Sequence, residues 1–271
     1  MKRWMSAAGV TAAVVLMLTA CATVPMSDRR QLQLIPQAEL LEMSYSQYDE
    51  FLAEHTVVTG TAEAEMVERV GERIARAVEA HMREIGREDE LRDYAWEFRL
   101  IDDEQVNAFA MPGGKIAIFS GILPVTQDET GLAVVMGHEI AHTVAGHGNE
   151  RMSQALLTQL GGMALSAAIS EEPETAQNLW LAAYGLGAQV GVLLPYSRLH
   201  ESEADRLGMI FMAIAGYDPR DAADFWQRMA AAREAPSPPE FVATHPSDDR
   251  RISDLEEALP DAMQHFQPGS R

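Results

Sequence analysis

The 271-residue chain is 47% hydrophobic, with a formal net charge of −20 and a single cysteine. That is enough apolar material for one sizeable core, while so acidic a surface repels nucleic acid and anionic lipid headgroups and excludes nucleic-acid binding. A lone cysteine excludes an internal disulfide.

At the start, Lys2 and Arg3 precede an apolar run from Ala7 to Leu18, which ends in Leu18-Thr19-Ala20-Cys21. A basic opening, a short apolar segment and small residues before a cysteine read as a lipoprotein-type signal peptide over residues 1–20, with Cys21 the lipidated first residue of the mature chain. An uncleaved anchor helix is the other reading. Removing residues 1–20 takes Lys2 and Arg3 and no acid, moving −20 to −22, so membrane attachment is expected from acyl chains rather than charge. Ala22 is not the aspartate associated with inner-membrane retention. The expected location is therefore the cell envelope, lipid-anchored at the periplasmic face of an outer membrane. Residues 21–37, with Pro25 and Pro36, read as a tether, and residues 38–259 as one domain.

Leu40 to His55 reads as a helix, and Thr61 opens a second whose Val67, Val70, Ile74 and Val78 keep a 3-4 spacing. Tyr94, Trp96, Phe98 and Leu100 alternate with polar or small residues, which predicts a half-buried strand. Asn107 to Gly121, turning at Pro112-Gly113-Gly114, predicts a hairpin. Thr126 to Glu129 reads as a capping box for a helix with Leu132, Val135, Met136 and Ile140 on its apolar stripe.

That helix carries Gly137-His138-Glu139-Ile140-Ala141-His142. On a helix His138 and His142 lie about 40° apart, so their imidazoles can share one tetrahedral zinc while Glu139 reaches the water to be activated. His147 falls about 180° from His138 on a continuing helix and reads as a structural or surface histidine. Residues 153–195 read as packed core or lid helices, with a membrane-dipping hairpin as the alternative. Farther on, Glu201 and Asp205 stand one turn apart. Glu201 can complete the metal triad and Asp205 can accept the outer N–H of a ligand histidine. Glu203 faces the other way and reads as solvated. Asp221 to Ala232 predicts a helix, Pro236, Pro238 and Pro239 a stiff loop delivering His245, and Ser247 the cap of a last helix followed by a flexible tail over residues 260–271.

Taken together, Gly137 to His142, the Asn107 to Gly121 segment, Ser197-Arg198-x-x-Glu201-x-x-Ala204-Asp205 and Thr244-His245-Pro246 resemble the HtpX and CAAX prenyl protease-type family of zinc metallopeptidases, in its soluble, lipid-anchored branch. The resemblance implies an α+β fold, a mostly helical zincin-like domain with a small sheet or hairpin beside the zinc helix. It implies one Zn2+ held by His138, His142 and Glu201, Glu139 as catalytic base, Asp205 behind a ligand, and His245 at the site as an inhibitory ligand or an oxyanion donor, with Arg251 a weaker assistant. As in gluzincin peptidases, an edge strand is expected to pair with extended substrate. Ala108, Phe109, Ala110 and Met111 are the candidates, Ile116 to Phe119 the alternative. The expected activity is endopeptidase cleavage of misfolded or unassembled envelope proteins. The expected partners are unfolded substrates, the membrane through the lipid anchor, and the outer-membrane assembly machinery. A non-proteolytic chaperone for that assembly is the competing reading.

Overall fold

The computed structural model describes residues 21–189, 193–233, 241, 245 and 250–266. The signal-peptide expectation for residues 1–20 and the proline-rich loop before His245 lie outside them.

The described chain is mostly helical, with a small mixed sheet, as expected from the sequence. Strands β1 (Cys21–Thr23) and β2 (Arg30–Leu32) form an antiparallel hairpin, followed by helix α1 (Gln37–Glu54), strand β3 (Val57–Val58) and helix α2 (Ala62–Glu84). Strands β4 (Glu97–Ile101), β5 (Ala108–Met111) and β6 (Lys115–Phe119) follow, then α3 (Leu123–Thr126), α4 (Glu129–Val144), α5 (His147–Ala168), α6 (Glu174–Ala188), α7 (Leu194–Ile214), α8 (Asp221–Arg233) and α9 (Arg251–His265).

Sequence chemistry accounts for the boundaries. Thr61 caps α2, its hydroxyl accepting from the N–H of Ala64, and the predicted Val67, Val70, Ile74 and Val78 stripe is wholly buried. At the head of α4 the cap is Asp128, which accepts from the N–H groups of Thr130 and Gly131. Thr126 instead ends α3 and donates to the carbonyl of Leu123. The capping signal was correctly placed, but the nearer carboxylate took the job.

The four-stranded sheet has the order β3-β4-β6-β5, with β4 and β6 parallel and the other pairs antiparallel. Strand β6 is therefore internal and β5 lies at the edge. Ile116 and Ile118 of β6 pack with Phe98 and Leu100 of β4 against the core that α2 and α4 share.

Three expectations need correction. Residues 21–37 are not a loose tether: β1 and β2 pair in register from Cys21↔Leu32 to Thr23↔Arg30, Val24 is fully buried, and Arg29 forms ion pairs with Glu150 and Glu203. The tail expected from residue 260 is instead helical to His265, and Ala262 is buried. Finally, of core or lid helices over residues 153–195, the core reading fails: α5 is buried only in its first turns, to Gln154, and beyond them it packs on α6 outside the core. Leu160, Met163, Leu179, Trp180 and Leu186 are exposed, and α6 has no buried residue. Among the described residues no helix is long and apolar enough to cross a membrane.

Candidate metal centre

The centre lies where α4 crosses α7. At the crossing the backbones touch: a Cβ added to Gly137 would sit 2.7 Å from the carbonyl oxygen of Gly208, and one added to Gly208 would sit 2.8 Å from the nitrogen of His138. Only hydrogen side chains allow that approach. It places His138 and His142 of α4 opposite Glu201 and Asp205 of α7.

Donor atoms of His138, His142, Glu201 and His245 all lie within 4.8 Å of one another, a group able to hold one metal ion. Nε2 of His138 is 3.0 Å from Nε2 of His142 and 3.3 Å from Glu201, and Glu201 is 3.4 Å from His142. His245 Nδ1 is 3.1 Å from both His138 Nε2 and Glu201. All four are buried except His142, which is partly open to a cleft of about 740 Å³ lined by Phe109, Ala110, Glu139 and His245 among others. Imidazoles and carboxylates this close and this dry are costly without a shared cation, since like donors face each other. The residues therefore fit a metal.

Their protonation agrees. Burial works against charge on His138, but hydrogen bonds to Asp205 and Glu201 outweigh it and lift His138 to about 9. Burial drives His142 well below its ordinary value, and the surrounding histidines hold Glu201 well below the usual carboxylate range despite its burial. A metal held here would displace any proton from the ligand nitrogens.

Asp205 occupies the place expected of it. Its Oδ1 lies 2.9 Å from His138 Nδ1 and also accepts from Arg251 Nη2 at 2.7 Å. Arg251 in turn lies over the Trp226 ring at 3.2 Å, so this arginine braces Asp205. The Glu139 carboxyl is 1% exposed, its Oε1 has no hydrogen-bond donor among the described residues, and His245 Nε2 stands 3.3 Å away. Burial pushes its pKa up, the direction needed in a group that takes and returns a proton near neutrality. The backbone N–H of Ala110 faces the same carboxylate, which places edge strand β5 directly beside it. Of the two hairpin strands proposed to meet substrate, only β5 has an edge unpaired among the described residues, because β6 is paired on both sides.

Two residues differ from expectation. His147 is not turned away: α4 ends at Val144 with Ala145 as its cap, Gly146 takes the left-handed conformation with φ 72°, and a new helix begins, so the continuing-helix argument fails. His147 Nδ1 lies 2.8 Å from His142 Nδ1 and its Nε2 2.9 Å from Glu203. Glu203 is not solvated but buried, and it accepts from Arg29, Ser27 and His147. Those partners outweigh burial and hold Glu203 at about 2, whereas burial takes His147 down to about 4 despite its acidic neighbour. Sequence reading also missed Glu150 and His200, which are 2.8 Å apart and buried beside this pair. The signal available was weak, namely one turn of α5 and one of α7 rich in His and Glu.

With this geometry in hand, residues 61–259 match the model of Peptidase family M48. The chain belongs to that family. It is similar to the mitochondrial metalloendopeptidase OMA1 of Schizosaccharomyces pombe, at 40% identity over 174 residues, 64% of this chain and 49% of that protein. The human protein named metalloendopeptidase OMA1, mitochondrial, is 28% identical over 257 residues, 92% of this chain and 48% of its own. The beta-barrel assembly-enhancing protease of Yersinia pestis is 33% identical over 162 residues, 58% of this chain and 33% of its own. The chain thus spans half or less of each of these relatives. Family and site agree with the expectation of a metalloendopeptidase. The expected location at the periplasmic face of an outer membrane is overturned, because the Schizosaccharomyces pombe and human relatives carry mitochondrial names.

Proposed function

We propose that this chain is a zinc-dependent endopeptidase of the HtpX and CAAX prenyl protease type, acting in protein quality control on unfolded or misfolded polypeptide. The observation that carries the reading is convergence at one cleft: two imidazoles and a carboxylate fit to hold zinc, a buried base with a bare oxygen, and a free strand edge whose Ala110 N–H points at that base. A free edge captures extended backbone without demanding one sequence, which suits a substrate defined by being unfolded.

His138, His142 and Glu201 would hold the zinc, a donor set of the kind found in catalytic sites. When bound, zinc supplies Lewis-acid polarisation of the scissile carbonyl. Glu139 accepts the proton of the attacking water and returns it to the leaving nitrogen, so that bond cleavage leaves a neutral amine. Strand β5 aligns the peptide antiparallel or parallel to itself and keeps the scissile bond beside Glu139. His245 stands against the same ligand set, its Nε2 3.3 Å from the base.

The test is metal analysis of the purified protein together with a casein assay. One equivalent of zinc and chelator-sensitive cleavage are expected. Activity that survives complete removal of metal overturns the proposal. The name of the Yersinia pestis relative favours a second reading, assistance to folding without cleavage, which a Glu139→Gln protein that retains full biological function would support.

A further inference from the structure

The two ligand histidines are oriented from behind in different ways. His138 presents Nδ1 to a carboxylate, Asp205, as ligand histidines commonly do. His142 presents Nδ1 to another imidazole, His147, whose far nitrogen meets Glu203. We propose that His147 and Glu203 form a positioning relay that fixes the tautomer of His142, and that Ser27 and Arg29 of the N-terminal hairpin hold the relay in place. The proposal rests on His142 being a metal ligand.

Hydrogen-bond inventory sets the direction. Glu203 accepts from Arg29 Nε at 2.9 Å and from Ser27 Oγ, so it is a carboxylate with no proton to give. The proton between Glu203 and His147 therefore belongs to Nε2 of His147. A neutral imidazole protonated on Nε2 has a bare Nδ1, which can only accept. His142 must then carry its proton on Nδ1, which leaves its Nε2 lone pair facing His138 and Glu201. A neutral histidine free in water is under no such compulsion and populates both tautomers.

The anchor is remote in sequence. Arg29 Nη1 and Nη2 grip Glu150 at 3.1 and 2.8 Å while its Nε grips Glu203, and Glu150 also accepts from His200, whose ring stacks on His147 at 4.3 Å. Arg29 thereby ties α5 to α7 through side chains that are 2% and 7% exposed at Glu150 and Glu203. Residues 27 and 29 precede the family match, which begins at residue 61. The hairpin thus brings residues from outside that match to the metal centre.

Zinc affinity by chelator competition, measured on the full chain for wild type, His147→Leu and His147→Gln, tests the relay. The glutamine amide can accept from His142 and donate to Glu203, whereas leucine can do neither. We expect leucine to weaken zinc binding about 10- to 100-fold and glutamine to restore most of it. The tautomer is read separately from long-range 15N spectra of the metal-free wild type, where His142 should carry its proton on Nδ1. Equal affinity in all three proteins, equal loss in both variants, or a His142 protonated on Nε2 would each overturn the relay. If leucine unfolds the metal-free protein, the wild-type spectrum decides. A wild type that binds no zinc would instead sink the proposed function.

Discussion

Asp205 Oδ1 lies 2.9 Å from Nδ1 of His138, on the side of the ring away from the ligand cluster. One carboxylate oxygen serves both the histidine and Arg251, so a conservative change uncouples two effects. Asp205→Asn keeps the shape but can present N–H to His138, and zinc affinity should fall about 10- to 100-fold. Asp205→Ala also strands the buried Arg251 and should lower folding stability by about 3 kcal/mol or more. Chelator competition and thermal unfolding read the two, and unchanged affinity in the asparagine variant would remove Asp205 from the site.

Glu139→Gln should bind zinc as the wild type does and cleave casein at no measurable rate, because the amide cannot take the proton. The carboxyl is fully enclosed and its Oε1 has no donor to lose, so the folded protein should tolerate the change. Undiminished cleavage with intact metal content would assign the base elsewhere.

His245 Nδ1 is 3.1 Å from both His138 Nε2 and Glu201, so as an inhibitory ligand it would take the coordination position a water needs. His245→Ala should therefore speed casein cleavage. A drop of about a hundredfold would identify an oxyanion donor instead, and unchanged kinetics would retire both roles.

Acid sensitivity of the metal-free protein should follow His147. Its folded value of about 4 lies below the ordinary 6.5, so between those values the unfolded chain binds the extra proton. Stability is fully present above about pH 6.5 and is lost as pH falls toward 4, by up to about 3 kcal/mol from this group. Glu203, at about 2 against 4.5, adds a further loss below pH 4.5. Denaturant titrations of wild type and His147→Gln between pH 7 and 4 check this. Parallel slopes would assign the acid loss to other groups.

The site's core was legible because it is local. His138, Glu139 and His142 share one helix, Glu201 and Asp205 another, and helical periodicity alone puts each set on a face. What periodicity could not supply was the break at Gly146, which returned His147 to His142, or the burial of Glu203, which depends on Arg29 about 170 positions earlier. Position 29 looked like a tether because pairing between two three-residue strands leaves almost no composition signal. The later turns of α5 and all of α6 escape a core reading for the opposite reason: apolar composition suggests burial, yet nothing in the described chain covers Leu179 or Trp180.

The contact between Gly137 and Gly208 has a consequence for how such a chain can change over time. Because the two helices that hold the triad meet backbone to backbone, their spacing is set by the crossing and not by the roughly fifty residues that run between them through α5 and α6. Closing a longer or shorter connection costs little, since the entropy grows only with the logarithm of its length. The exposed part of that stretch, from the later turns of α5 through α6, is thus a module: it can be lengthened, trimmed or given a new surface while the site geometry stays where the glycines put it.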